Sequence, residues 1–346
     1  MSKIAILGGG AWGTALSLVL SRSRHAHDIS LWVREPALAE SIAATRENKR
    51  HLPGIEIPAH VVVSSDIAAA LAHAQIVVGV VPAAHTREVF ICALPHLSPE
   101  AIIVSATKGL EHATHLRITQ VLEQVCSLRF VPDLAVLSGP SFALEAARGE
   151  PTAVVIASQT NYQSLEGVRR YSPRTAEYIQ EEFSGPMFRL YTNDDVLGVE
   201  LAGAMKNVMA IAAGACQGLG LGANSLASLI TRGLAEMTRL AVKLGGRAET
   251  LSGLAGMGDL VLTSHGALSR NRHVGFLLGQ GRSLDEILSS MSSIAEGVGT
   301  ASALLALGQE HRIELPITEQ INAILRQWKS PSDAIRDIME RPLKPE

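Results

Sequence analysis

Residues 8–13 read Gly8-Gly9-Gly10-Ala11-Trp12-Gly13, between an apolar run at 3–7 (KIAIL) and a helical stretch at 15–21 (ALSLVLS). The run reads as a short buried strand, so the spacing Gly8-x-Gly10-x-x-Gly13 falls on a strand-to-helix turn. Glycines there permit a tight backbone and close approach to a pyrophosphate. The helix N-terminus adds unpaired N–H donors and the positive end of its dipole. Glycine turns also end strands for purely structural reasons, so the motif by itself is a weak signal. The strand before it and the helix after it turn the reading towards a dinucleotide.

Outward from this turn the first half of the chain repeats the same pattern. Near-continuous apolar runs at 29–33 (ISLWV), 75–81 (QIVVGVV), 101–106 (AIIVSA), 134–137 (LAVL) and 152–157 (TAVVIA) suit a parallel sheet covered on both faces. Helical patterns at 67–72, 86–93 and 114–125 lie between them, so a doubly wound α/β sheet is the economical architecture. After 188–192 (FRLYT) strand signals fade, and 194–216, 224–244, 270–278, 284–288, 300–310, 318–328 and 331–339 read as helices. The boundary is expected near residue 192, giving domains over 1–192 and 193–346. No Pro/Gly/Ser-rich linker lies there, which predicts two closely packed domains with a cleft.

Composition narrows the function. A chain of 346 residues that is 47% hydrophobic and 18% charged is no disordered segment and is long enough for two cores. Thirty Lys and Arg against 33 Asp and Glu leave a net charge of −3, so no broad basic field recommends nucleic acid as a partner. Cys92, Cys126 and Cys216 lie far apart without CxxC or zinc spacing and read as small reduced core residues; no metal site is expected. The first strand begins at residue 3, leaving no room for a signal peptide, and the longest apolar stretch is interrupted by Lys206-Asn207. A cytoplasmic protein without membrane insertion is expected.

Ligands of open α/β sheets gather outside the carboxyl ends of the strands, and unusual residues stand there. Arg34 follows the second strand about twenty residues past the glycines, where an acidic residue would hold the ribose 2′-hydroxyl of NAD. An arginine suits a 2′-phosphate or stacks on adenine; Glu35 beside it keeps the choice open, and a solvated loop charge is the plain alternative. Lys108, in Thr107-Lys108-Gly109, can meet a phosphate or carbonyl oxygen, or lie on the surface. In Ser138-Gly139-Pro140-Ser141, Ser141 is a natural N-cap of a helix over 142–148.

The second half holds one conspicuous residue. In VELAGAMKNVMAIAAGAC (199–216), Lys206 and Asn207 are polar in the middle of a helix otherwise apolar save Glu200. A buried ammonium is expensive and is therefore paired or functional; a structural ion pair competes with proton transfer to a carbonyl. Small neighbours, Ala202, Gly203 and Ala210, would admit a ligand or another backbone. Asp259 follows two glycines, and Ser269 is positioned to cap a helix opened by Arg270. Arg270 there opposes the helix dipole unless an anion offsets it, and a phosphate is the obvious candidate. Glu296, between small residues before another helix, can be a capping acid.

Taken in order, GGGAWGTAL, TKG, SGPSFALE, ELAGAMKNVMAIAAG, GLAGMGDLVLT, SRNR and AEGVGT resemble the bacterial NAD(P)-dependent glycerol-3-phosphate dehydrogenases, over nearly the whole chain. The resemblance implies a Rossmann-like domain followed by an all-helical catalytic domain. It also implies interconversion of dihydroxyacetone phosphate and sn-glycerol 3-phosphate, supply of the glycerolipid backbone, and a homodimer. It makes Lys206 the catalytic proton donor and acceptor. Lys108, Gly139, Ser141, Asp259, Ser269, Arg270 and Asn271 match substrate-contacting positions, with Asn207 and Thr263 as polar neighbours of the site. Ala11, Trp12, Arg34, Lys108, Ala143, Arg270, Ile294 and Glu296 match positions contacting NADP or NAD, beside the turn glycines Gly8, Gly10 and Gly13. Position 11 is usually serine or threonine in this family, so Ala11 lacks a hydroxyl and keeps its backbone N–H. NADPH is the favoured cofactor because of Arg34. The nearest rivals are a related dehydrogenase of a hydroxy acid or ketopantoate, and a regulator that binds NAD(P) without turnover.

Overall fold

The computed structural model describes residues 2–159, 174–291 and 295–343. The apolar runs become strands: β1 (Ser2–Leu7), β2 (His27–Trp32), β3 (Glu47–Asn48), β4 (Leu52–Glu56), β5 (Val62–Ser64), β6 (Ile76–Gly79), β7 (Ile102–Ser105), β8 (Asp133–Ser138), β9 (Thr152–Ala157) and β10 (Phe188–Asn193). Eight form one sheet in the order β5-β2-β1-β6-β7-β8-β9-β10, while β3 and β4 form a separate antiparallel hairpin. Counted along the chain, the first six sheet strands have the Rossmann order 3-2-1-4-5-6. The strand order reverses between β1 and β6, which places the glycine turn at the switch point.

Among the described residues, seven helices accompany the sheet: α1 (Ala11–Leu20), α2 (Pro36–Thr45), α3 (Ile67–Leu71), α4 (Ala83–Ala93), α5 (Ile118–Cys126), α6 (Ala143–Arg148) and α7 (Thr175–Phe183). The strand period divides them between two faces. Ile4 and Ile6 of β1 share a core with Leu16 of α1, Ile42 of α2, Ala146 of α6 and Phe183 of α7. Ala5 and Leu7 point the other way, into a core with Leu71 of α3, Phe90 of α4 and Leu122 of α5.

The expected parallel sheet holds through β8. There β9 pairs antiparallel with β8, and β10 pairs parallel with β9, so the last two strands run against the rest. The connection from β8 to β9 carries only the short α6, which packs on α1 and ends at a left-handed Gly149 (φ 80°). A parallel return would need a full crossover. Both orientations bury the strand on two faces, so TAVVIA reads the same either way. Cys92 is another correction: it is exposed, while Cys126 and Cys216 are buried. Burial pushes the Cys126 thiol up to about 12.

The chain divides into two compact units, Met1–Lys108 with Leu116–Val199, and Gly109–His115 with Glu200–Glu346. The helical region comprises α8 (Val196–Gly218), α9 (Ala223–Lys243), α10 (Ala248–Ser252), a π-turn at Leu254–Gly258, α11 (Asp259–His265), α12 (Arg270–Gly279), α13 (Leu284–Ser290), α14 (Glu296–Glu310), α15 (Pro316–Leu325) and α16 (Pro331–Met339). Among the described residues, α8 alone is long and apolar enough to cross a membrane by length and composition; its apolar window is 94% buried inside the fold.

Two devices hold this unit together. Glu236 of α9 is fully buried and accepts hydrogen bonds from the Ile317 N–H (2.8 Å), the Thr318 N–H (3.0 Å) and the Thr318 hydroxyl (2.6 Å). It thereby satisfies the orphan donors at the start of α15. Burial raises its pKa, against the lowering effect of those hydrogen bonds. The second device is glycine: a Cβ at Gly214 would collide with the Arg272 carbonyl, and one at Gly275 with that of Ile211. Gly218 and Gly279 face each other with equally little space, so α8 and α12 pack backbone against backbone. Gly275→Ala is expected to force them apart and lower the thermal midpoint by about 5 °C or more. Gly222→Ala, with nothing within 4 Å of its added methyl, is the control and should shift little. A Gly275→Ala protein melting with the parent would contradict this packing.

Candidate active site

The three glycines of the turn meet different demands. Gly8 has φ 132° and would press a Cβ into the Val80 carbonyl beyond β6. A Cβ at Gly13 would strike the Gly8 carbonyl. The fold itself thus requires both. Gly10 does not fit that explanation: its φ of −76° suits any residue, and a Cβ there would meet nothing within 4 Å. Gly10 is the N-cap of α1 and no side chain caps the helix from that position. Open space kept beside helix-start N–H groups, at the switch point of the sheet, fits a pyrophosphate. Trp12 packs its ring against the core while its buried Nε1 has no partner among the described residues.

Other residues of this unit gather on neighbouring strand ends. Lys108 Nζ donates to the Gly139 carbonyl (2.8 Å), and the Ser141 hydroxyl donates to the same oxygen (3.0 Å). The Thr107 hydroxyl donates to the Val81 carbonyl at 2.7 Å, joining the ends of β6 and β7. Ser141 is therefore not the N-cap expected of it: α6 starts at Ala143 with Phe142 as N-cap. The left-handed Gly139 (φ 132°) turns the chain back, so the hydroxyl reaches its carbonyl. Arg34 is exposed at the end of β2 and forms no hydrogen bond or ion pair among the described residues. Glu35, next to it, pairs with Arg50 at 2.6 Å. Ile294 lies outside the described residues.

In the helical unit, Lys206 is 7% exposed and its Nζ donates to Asp259 Oδ1 (2.6 Å) and the Thr263 hydroxyl (2.9 Å). Thr263 is itself 3.2 Å from the same Asp259 oxygen, and Asp259 is 1% exposed. The lysine is paired, with a partner brought from 53 residues away. Asp259 opens α11 directly after the π-turn Leu254–Gly258, where Gly256 has no room for a side chain against Leu251. Such turns re-aim the residues that follow them. Gly256 is thus a packing requirement of an irregular helix.

A second network adjoins this one on α8. Asn207 Oδ1 accepts from Asn271 Nδ2 (2.9 Å), and Asn271 Oδ1 accepts the Gly297 N–H (3.0 Å) at the start of α14. Gly297 in turn has no room for a Cβ against the Asn207 carbonyl. Asn271 therefore holds α8, α12 and α14 in register and spends one of its two amide hydrogens doing so. Ser269 caps α12 as expected, accepting from the Arg272 N–H at 3.2 Å. Arg270, the first residue of α12, is exposed to solvent but crowded by protein; that crowding lowers its pKa and the charge of Glu296 raises it. Among the described residues no group of three or more His, Cys, Asp or Glu side chains could hold a metal.

Sequence reading missed the hairpin β3–β4 and its buried Asn48, the π-turn and Glu236. Pro53-Gly54, which reads as a turn signal, lies inside β4, and the short strands carry charged residues in place of an apolar run.

The family model for the NAD-dependent glycerol-3-phosphate dehydrogenase N-terminus matches residues 3–164, and that for the C-terminus matches residues 195–336. A glycerol-3-phosphate dehydrogenase [NAD(P)+] of Koribacter versatilis is 52% identical over 343 residues, covering 99% of this chain and 98% of that one. One of Acidobacterium capsulatum is 49% identical, covering 99% of each chain. The crystal structure of glycerol-3-phosphate dehydrogenase from Coxiella burnetii superposes with a TM-score of 0.90 at 38% identity, over 98% of this chain and 99% of that one. The chain belongs to the NAD-dependent glycerol-3-phosphate dehydrogenase family.

Proposed function

We propose that this chain reduces dihydroxyacetone phosphate to sn-glycerol 3-phosphate and catalyses the reverse oxidation, as an NAD(P)-dependent oxidoreductase. The product is a glycerol with a terminal phosphate and two hydroxyls free for acylation, the backbone of phospholipids. Residues 1–192 serve as the dinucleotide-binding domain and 193–346 as the catalytic domain. A homodimer in the cytoplasm is the working form that family membership supports.

The observation that carries the mechanism is the buried Lys206, oriented by Asp259 and Thr263. A buried ion pair adds little stability over well-packed apolar residues, so chemistry is the better reason to keep one in this helix. A nicotinamide cofactor held at the glycine turn would supply the hydride for the ketone carbon, C2. The Lys206 ammonium then gives a proton to the developing alkoxide, with Asp259 holding its position and charge. In the oxidative direction the neutral amine takes that proton back. Asn207, next to Lys206 on α8, polarises the carbonyl, and Lys108 is assigned a substrate contact. Arg270, Ser269 and the start of α12 hold the substrate phosphate, and Thr263, Asn271, Gly139 and Ser141 are each assigned a substrate contact. Phosphate binding, remote from C2, supplies energy that orients the reacting carbon.

The turn glycines, Ala11, Trp12, Ala143, Ile294 and Glu296 are assigned to the cofactor. Arg34, with no protein partner among the described residues, is assigned to the 2′-phosphate, so NADPH is favoured over NADH.

Three experiments test these roles. Gly10→Val should melt within a few degrees of the parent, because its side chain enters open space, yet weaken NADPH binding by at least about tenfold. Unchanged binding would remove the pyrophosphate from this turn. Lys206→Ala should bind NADPH and lose about 10²–10⁴-fold in kcat; a folded variant with near-normal kcat would remove the lysine from the mechanism. Arg270→Ala should reduce kcat/KM for dihydroxyacetone phosphate by roughly tenfold or more, and that for unphosphorylated dihydroxyacetone far less. Equal losses would assign Arg270 to the cofactor alone.

A further inference from the structure

The hairpin β3–β4 is tied to the dinucleotide turn by one side chain. Asn48 is fully buried, and its Nδ2 donates to the Gly9 carbonyl (2.9 Å) and the Thr14 hydroxyl (2.8 Å). Its Oδ1 accepts the His51 N–H at 3.2 Å, which closes the tip of the hairpin. The tip, Lys49-Arg50-His51, is therefore anchored beside the glycine turn and the end of β2, whose Trp32 carbonyl accepts the Gly8 N–H at 3.1 Å. From that anchored tip Arg50 Nη1 reaches Glu35 Oε2 at 2.6 Å.

Glu35 stands one residue beyond Arg34, where an NAD-selective site places a carboxylate on the ribose 2′-hydroxyl. An unpaired carboxylate there would also repel a 2′-phosphate. Glu35 does not use its side chain to cap α2, although it occupies the N-cap position. Its carboxylate goes to Arg50.

We propose that Arg50 is a selectivity-determining positioning residue: held on the Asn48-anchored hairpin, it occupies and neutralises Glu35, which lets the site accept the 2′-phosphate of NADPH. This rests on the reading that the dinucleotide lies on the glycine turn. The pair is about half exposed on both sides (52% and 56%), so its net contribution to folding is small. Its effect on a ligand carrying extra negative charge is larger, because removing Arg50 turns a neutral pair into a lone anion beside that charge.

The test is calorimetric binding of NADPH and of NADH, without substrate, to the parent, Arg50→Ala, Glu35→Gln and the double variant. Arg50→Ala should weaken NADPH roughly five- to tenfold and NADH less than about twofold, the range expected of one exposed charge several ångströms from a phosphate. Adding Glu35→Gln should restore most of the NADPH affinity, and Glu35→Gln alone, which leaves the Arg50 charge uncompensated, should raise it roughly a few-fold. Arg50→Gln serves equally should the alanine variant lose its melting transition. Equal weakening of both cofactors would overturn the proposal. So would failure of Glu35→Gln to rescue, since Arg50 would then act on the phosphate directly. Failure of the glycine-turn reading itself looks different: Gly10→Val would leave the binding of both cofactors intact.

Discussion

The buried pair between Lys206 and Asp259 is the constraint around which the helical unit is built. Two charges out of water are costly, and their attraction offsets that cost only with good geometry and with the remaining hydrogen-bonding capacity satisfied. Here the Nζ–Oδ1 distance is 2.6 Å and Thr263 contacts both partners. Removing one member would strand the other, at about 3–5 kcal/mol. The irregular backbone before α11 follows from this demand. A π-turn containing Gly256 presents Asp259 to α8, where a regular helix would aim it elsewhere.

Close backbone approach is the complementary constraint. Four glycines let α8 and α12 touch without side chains between them, and that contact holds Asn271 within 2.9 Å of Asn207. From Asn271 the register passes to the start of α14 through the Gly297 N–H. The same economy recurs at the glycine turn, where Gly8 and Gly13 are required by the fold while Gly10 borders open space. Asn48 then couples the hairpin to that turn, so the charge pattern on its tip has a defined place.

Much of this was legible in the sequence because burial leaves a strong mark there. Two-sided strands read as apolar runs, a lysine in an apolar helix stands out, and Ser269 before Arg270 marks a helix start. Strand direction leaves no such mark, so β9 reads as parallel from its sequence. Ser141 has the right residue type for a cap, but the left-handed Gly139 turns its hydroxyl to a carbonyl instead. Asp259 was legible as unusual, but its pairing with Lys206 depends on tertiary contact 53 residues apart. Asn48 was invisible for a related reason: a single buried amide among charged residues carries no periodicity.

The decisive measurement removes the charges together and keeps their volume. In Lys206→Met/Asp259→Leu no buried charge is stranded, so the protein should fold with a melting midpoint near or above that of the parent. If the pair exists for proton transfer, that folded, NADPH-binding protein should show no dihydroxyacetone phosphate-dependent oxidation of NADPH above about a thousandth of the parental rate. Substantial turnover in the folded double variant would contradict the central claim and reduce the pair to a structural element.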